Sequence, residues 1–128
     1  MQNFLTSNSI VNVATAASTV TTAVETTAVD TAGYDRVTII RSVSAACVVE
    51  LLGGTTTTAT IAITGSSVTA TAGEVVKLEM HRPQYRYIKM NAQAGVTKVC
   101  GDAIAILGLP RSKPITNTGA AIVTTTTD

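Results

Sequence analysis

Threonine is the commonest residue in this chain, filling 24 of 128 positions and recurring in runs such as TTTTAT (55–60) and TTTTD (124–128). Its branched Cβ restricts χ1 and favours extended backbone over helix. There are 18 alanines, three tyrosines, one phenylalanine and no tryptophan, so any core must be assembled from valine, isoleucine, leucine and alanine. Together these point to an all-β chain with a thin core. Its length gives room for one domain with one core.

Hydrophobic periodicity places the strands. In YDRVTIIRSV (34–43), Val37, Ile39 and Val43 share one parity, and Arg36, Thr38 and Ile40 share the other, as on a strand with one buried face. CVVELL (47–52) ends at Gly53-Gly54, and TTTTATIAIT then resumes an extended pattern, which reads as a hairpin. VTATAG (68–73) and VVKLEM (75–80) follow. In HRPQYRYIKM (81–90), Pro83 cannot donate to a ladder, so 81–84 is expected to form a corner and 85–91 a strand, with Ile88 and Met90 in the core. Arg86 has the parity of those two and is expected at the strand end, free to leave the core or meet a carboxylate. DAIAILGL (102–109) is the most apolar segment of all. About seven to nine short strands at intervals of about ten residues predict a β-sandwich or jelly roll.

Residues 1–33 hold few bulky side chains and read as an extended N-terminal arm that takes its order from a neighbour. Residues 34–114 read as the β-sandwich domain, and residues 115–128 as a C-terminal arm. On these boundaries, deleting residues 1–31 is expected to leave a folded domain.

The formal charge of +1 disfavours unspecific polyanion binding as the main activity, since that needs many Lys and Arg contacts to phosphate. The nine basic residues all lie between Arg36 and Lys113. Cys47 and Cys100 belong to no CxxC motif and read as two buried thiols. One histidine, two distant cysteines and scattered acids match no metal-ligand spacing, and no cofactor is expected. The longest apolar run, AIAILGL (103–109), is far short of the roughly 20 residues of a membrane helix. The first 35 residues show neither the basic start nor the apolar block of a secretory signal.

His81 with Glu79 two positions before it invites an acid–base reading, and on a strand the two share a face. No nucleophile motif accompanies them, so a structural histidine at a proline corner is preferred, and the chain is not expected to be an enzyme. Tyr85, Tyr87, Arg82, Arg86 and Lys89 offer a base-stacking surface for single-stranded nucleic acid, but nearby acids balance much of that charge. Tyrosine and arginine are equally enriched at protein interfaces. The irregular Thr-x-Thr steps suit solvated strand faces better than an ice-binding array.

GYDRVTIIRSV, a glycine-marked hairpin, YRYIKMNAQ and AIAILGLPRSKP follow one another in an order that resembles small structural proteins of tailed bacteriophages, the head decoration or cement proteins. The resemblance covers residues 33–114. It implies a non-enzymatic β-domain at the virion capsid surface, made in the host cytoplasm and assembled as a homo-oligomer, often a trimer. Its implied partners are the major capsid protein and sister copies; the residues themselves point to no membrane partner and make nucleic acid the less favoured one. The expected interface residues are Phe4, Leu5, Ile10, Tyr34, Tyr85, Arg86, Tyr87, Arg111 and Lys113. A phage tail or neck component, a single-stranded nucleic-acid-binding β-domain and a bacterial surface adhesin are the alternatives.

Overall fold

The computed structural model describes residues 8–16 and 18–110. Phe4, Leu5, Arg111, Lys113 and the segment 115–128 lie outside the described residues. The described residues are all-β, with ten strands in two antiparallel sheets. In chain order these are β1 (Asn8–Ala14), β2 (Val24–Glu25), β3 (Val29–Asp30), β4 (Tyr34–Val43), β5 (Cys47–Gly54), β6 (Ile61–Ala62), β7 (Val68–Ala70), β8 (Val75–His81), β9 (Tyr87–Ala92) and β10 (Cys100–Pro110).

The first sheet runs β1-β10-β4-β8. The second centres on β5 and β9, with β2 and β3 along the outer side of β9 and β6 and β7 along the outer side of β5. The architecture is the β-sandwich expected from the alternation. β5 and β6 pair through Leu52↔Ala62 and Gly53↔Ile61, forming the hairpin marked by the glycine pair. β8 and β9 belong to different sheets, so the corner at Pro83 carries the chain across the sandwich. At that corner Arg82 adopts φ 52° and its N–H donates to the Asp35 carbonyl at 2.6 Å.

Alternate residues fill the space between the sheets. Val37, Ile39 and Val43 of β4, Ala103, Ala105 and Leu107 of β10, Val49 and Leu51 of β5, and Ile88 and Met90 of β9 are buried together. The inward alanines of β10 keep this core thin. Cys47 and Cys100 are free thiols within it. Burial pushes the Cys47 thiol above its ordinary range, and the nearby Cys100 adds to this.

The segment before Tyr34 is extended, but its own chain and not a neighbour orders it, so β1 to β3 belong to the sandwich and the domain boundary expected at residue 33 does not hold. β1 runs along β10, and β2 and β3 run along β9. Val13 and Val29 enter the core cluster, and Thr26 and Thr31 are buried. The Thr31 hydroxyl donates to the Arg86 carbonyl at 2.8 Å, and the Met90 N–H donates to the Thr26 hydroxyl at 3.0 Å. Two long cations tie the same segment down from inside. Arg41, on the inward parity of β4, donates through Nε to the Gly101 carbonyl at 2.8 Å and through Nη2 to Thr15 at 3.3 Å. Burial pulls its pKa below the usual arginine value. Lys98 is only 1% exposed, and its Nζ donates to the Thr22 carbonyl at 2.8 Å.

Candidate protein interface

The outward sides of the two sheets differ in chemistry. Directly paired residues of an antiparallel sheet share a face, so the register identifies what each face carries. On the first sheet, Ile10 of β1 lies beside Ile106 of β10, which lies beside Thr38 of β4 and then Glu79 of β8. In the next row Asn12, Ile104, Ile40 and Lys77 stand side by side. Ile10, Ile40, Ile104 and Ile106 thus form an apolar patch on the side away from the core. Ile104 is 37% exposed and the other three are half-buried.

A polar frame closes one end of this patch. The Arg36 guanidinium lies over Gly108, where a Cβ would collide with it. Its Nη2 donates to Asn8 Oδ1 at 2.9 Å, and its Nε stands 3.9 Å from Glu79 Oε1. The Thr38 hydroxyl donates to Glu79 Oε1 at 3.0 Å, and His81 Nε2 lies 3.2 Å from Oε2. Thr38 first, then His81 and Arg36, hold the Glu79 carboxyl below its usual range. Glu79 and His81 do share a face, as their spacing on a strand requires.

On the second sheet the outward charges are matched within the chain. Lys89 Nζ donates to Glu25 Oε2 at 2.7 Å, and Asn91 Nδ2 donates to Glu50 Oε1 at 3.3 Å. Arg86 donates through Nε and Nη2 to the two oxygens of Asp30 at 3.1 and 2.9 Å, and its guanidinium lies 5.2 Å from the centre of the Tyr87 ring. Arg86 therefore leaves the core at the strand end and meets a carboxylate, as its parity requires. Asp30 is held below the usual carboxylate range, chiefly by this pair and then by the Ala32 N–H.

A depressed folded-state pKa stabilises the fold above the unfolded value, about 3.9, and that stabilisation fades as pH falls through the lower folded value. Urea unfolding at pH 7 and pH 3 is therefore expected to show a smaller loss of stability for Asp30→Asn than for the parent chain. With both side chains about half exposed, at 58% and 44%, the difference should be at most about 1 kcal/mol. An identical pH response in the two proteins would remove the pair from the acid limb.

The expected interface residues fall into separate places. Ile10 lies in the isoleucine patch. Tyr34 is half-buried at the start of β4, opposite Pro110, and packs on the core. Tyr85 also packs on the core, and its ring lies where a Cβ on Gly53 would come within 2.5 Å of it. Arg86 and Tyr87 stand together beside Asp30. The crowded corner HRPQY borders a cleft of about 320 Å³ lined by Ile63, Met80, His81, Arg82, Gln84 and Tyr85 among others. Among the described residues no group of three metal-ligating side chains converges.

Ile40, Ile104 and Ile106 are interface candidates that the sequence did not single out. Their signal lies in TIIR and AIAILGL, where both parities of a strand are apolar. An antiparallel strand with one solvated face alternates apolar and polar residues; apolar residues on both parities indicate that both faces are covered.

No protein-family model matches the chain, and no curated protein matches its sequence. Its fold is similar to that in the crystal structure of PBSX exported protein XepA, with a TM-score of 0.52 and 12% identity. The match covers 98% of this chain and 46% of XepA, so the chain spans about half the length of that neighbour. At that identity the likeness establishes the fold alone.

Proposed function

We propose that this chain is a non-enzymatic structural component of a phage particle, a head decoration protein that binds and stabilises the capsid from outside. The observation that carries this reading is the isoleucine patch on the first sheet. It offers apolar surface closed at one end by polar side chains bonded to one another, Asn8, Arg36, Thr38, Glu79 and His81, while the second sheet matches its outward charges internally. The fold supports the same direction, since the similar structure is an exported protein of the phage PBSX. The order of motifs through residues 33–114 adds the decoration-protein resemblance. The partners are the major capsid protein and sister copies of the chain.

Magnitudes favour a repeated use of this face. Covering four partly exposed isoleucines contributes roughly 2–5 kcal/mol, which alone corresponds to about millimolar binding. Many copies on a symmetric lattice, or an oligomer engaging several sites at once, raise that to lasting attachment. The purified full chain is expected to co-sediment with particles of its own phage, saturating at a fixed ratio to the capsid protein. Because the patch is apolar, the association should survive high salt. Recovery of the chain only in the particle-free fraction would refute the proposal.

A further inference from the structure

The edges of the two sheets are not equally protected. The second sheet ends in β2, β3, β6 and β7, which are two or three residues long. In the first sheet, β1 is irregular between Asn12 and Ala14. Short and bulged strands discourage further pairing. β8 has neither defence. Its seven residues, VVKLEMH, hold an unbroken register with β4 from Ser42↔Val75 to Arg36↔His81.

Two hydrogen bonds show which backbone groups point outward. The Val43 N–H donates to the Glu74 carbonyl at 3.1 Å, and the Arg82 N–H donates to Asp35 at 2.6 Å. Even-numbered residues of this segment therefore bond to β4. In an antiparallel ladder a residue directs its N–H and C=O to the same side and its neighbours direct theirs to the other. The backbone groups of Val75, Lys77, Glu79 and His81 thus face the open edge. Leu78 and Met80, on the core side, remain half-exposed there.

We propose that β8 pairs antiparallel with β8 of a second copy about a two-fold axis at Leu78, joining two four-stranded sheets into one of eight strands. Only odd residues offer bonds at this edge, so only registers that match odd with odd are open. With the axis at Leu78, Lys77 stands opposite Glu79 of the second copy, and Glu79 opposite its Lys77. A slip of two residues in either direction instead sets Lys77 against Lys77 or Glu79 against Glu79. Lys77 forms no ion pair within 4 Å among the described residues, and its charge acts only at longer range on Glu74. On the core side Leu78 meets Leu78 and Val76 meets Met80, covering the apolar atoms that the edge leaves half-exposed. Charge thereby selects both the occupant and its register.

This pairing gives geometry to the self-association within the proposed function. It is measured on the pure chain, without particles, so its failure and that of capsid binding are distinguishable. Sedimentation equilibrium of the full chain over a wide concentration range should reveal a species of twice 13.1 kDa. Lys77→Glu and Glu79→Lys should each weaken it by about tenfold or more, since each sets two like-charged pairs across the axis. Mixed one to one, the two variants should form a heterodimer, because both positions then meet opposite charges. The combined Lys77→Glu/Glu79→Lys chain should recover the homodimer, with circular dichroism confirming the β fold of every variant. A parent chain that stays monomeric throughout overturns the proposal. So does self-association that neither single variant weakens, or a double variant that is folded and monomeric.

Discussion

A chain lacking residues 1–31 should show no cooperative unfolding transition in urea and no β-sheet spectrum in the far ultraviolet. The deletion removes β1, β2 and β3 and with them the partners of one whole side of β10 and of β9. It takes Val13 and Val29 out of the core, each contributing about 1.5–3 kcal/mol through burial. It strips Lys89, whose side chain is 9% exposed, of Glu25, and it removes the carbonyls of Thr15 and Thr22 that receive Arg41 and Lys98. Each loss of an acceptor by one of these cations costs about 1–3 kcal/mol. Against a total stability of about 5–15 kcal/mol for a domain of this size, the sum exceeds what the remainder can bear. A truncated chain with an unchanged urea midpoint would show these strands to be dispensable.

Ile104→Asp should reduce attachment to particles by about 100-fold or more while leaving the chain folded. Ile104 points away from the core between Asn12 and Ile40, so the substitution forms no core cavity and its stability cost is lost strand propensity and partial burial, about 2–3 kcal/mol. In the bound state the same carboxylate must be desolvated against an apolar partner, which costs several kcal/mol at every copy. Thr69→Asp on the outward side of the second sheet is the matched control, since Thr69 is exposed beside Val48, and it should bind as the parent does. Equal loss in both variants would point to a general effect of charge.

Much of this was legible in the sequence, because the strands obey their period of two. Val37, Ile39, Val43, Ile88 and Met90 are buried where alternation puts them. Arg86 meets a carboxylate at the strand end, and Pro83 marks the crossing between sheets. The threonine-rich first quarter is less legible. Its alternation at Ile10 to Val13 is that of a strand, but with few bulky side chains its order depends on β10 and β9, distant in sequence. Arg41 and Lys98 broke the pattern for another reason: a cation is buried only when specific carbonyls reach it, and those of Gly101, Thr15 and Thr22 converge only in the fold. The interface candidates divide along the same line. Tyr85 and Arg86 looked available because their partners, Gly53 and Asp30, lie 32 and 56 positions away. The isoleucines of 39–40 and 103–109 are plainly apolar in the sequence, yet only the register reveals that Ile40, Ile104 and Ile106 join Ile10 on one outward face.

Under the proposed function, a cryo-electron microscopy reconstruction of the phage particle tests capsid attachment through the first sheet most directly. The expected map contains the ten-stranded sandwich on the outer capsid surface, with Ile10, Ile40, Ile104 and Ile106 buried against the major capsid protein. A particle without the sandwich, or one in which that face is turned to solvent in every copy, would contradict it.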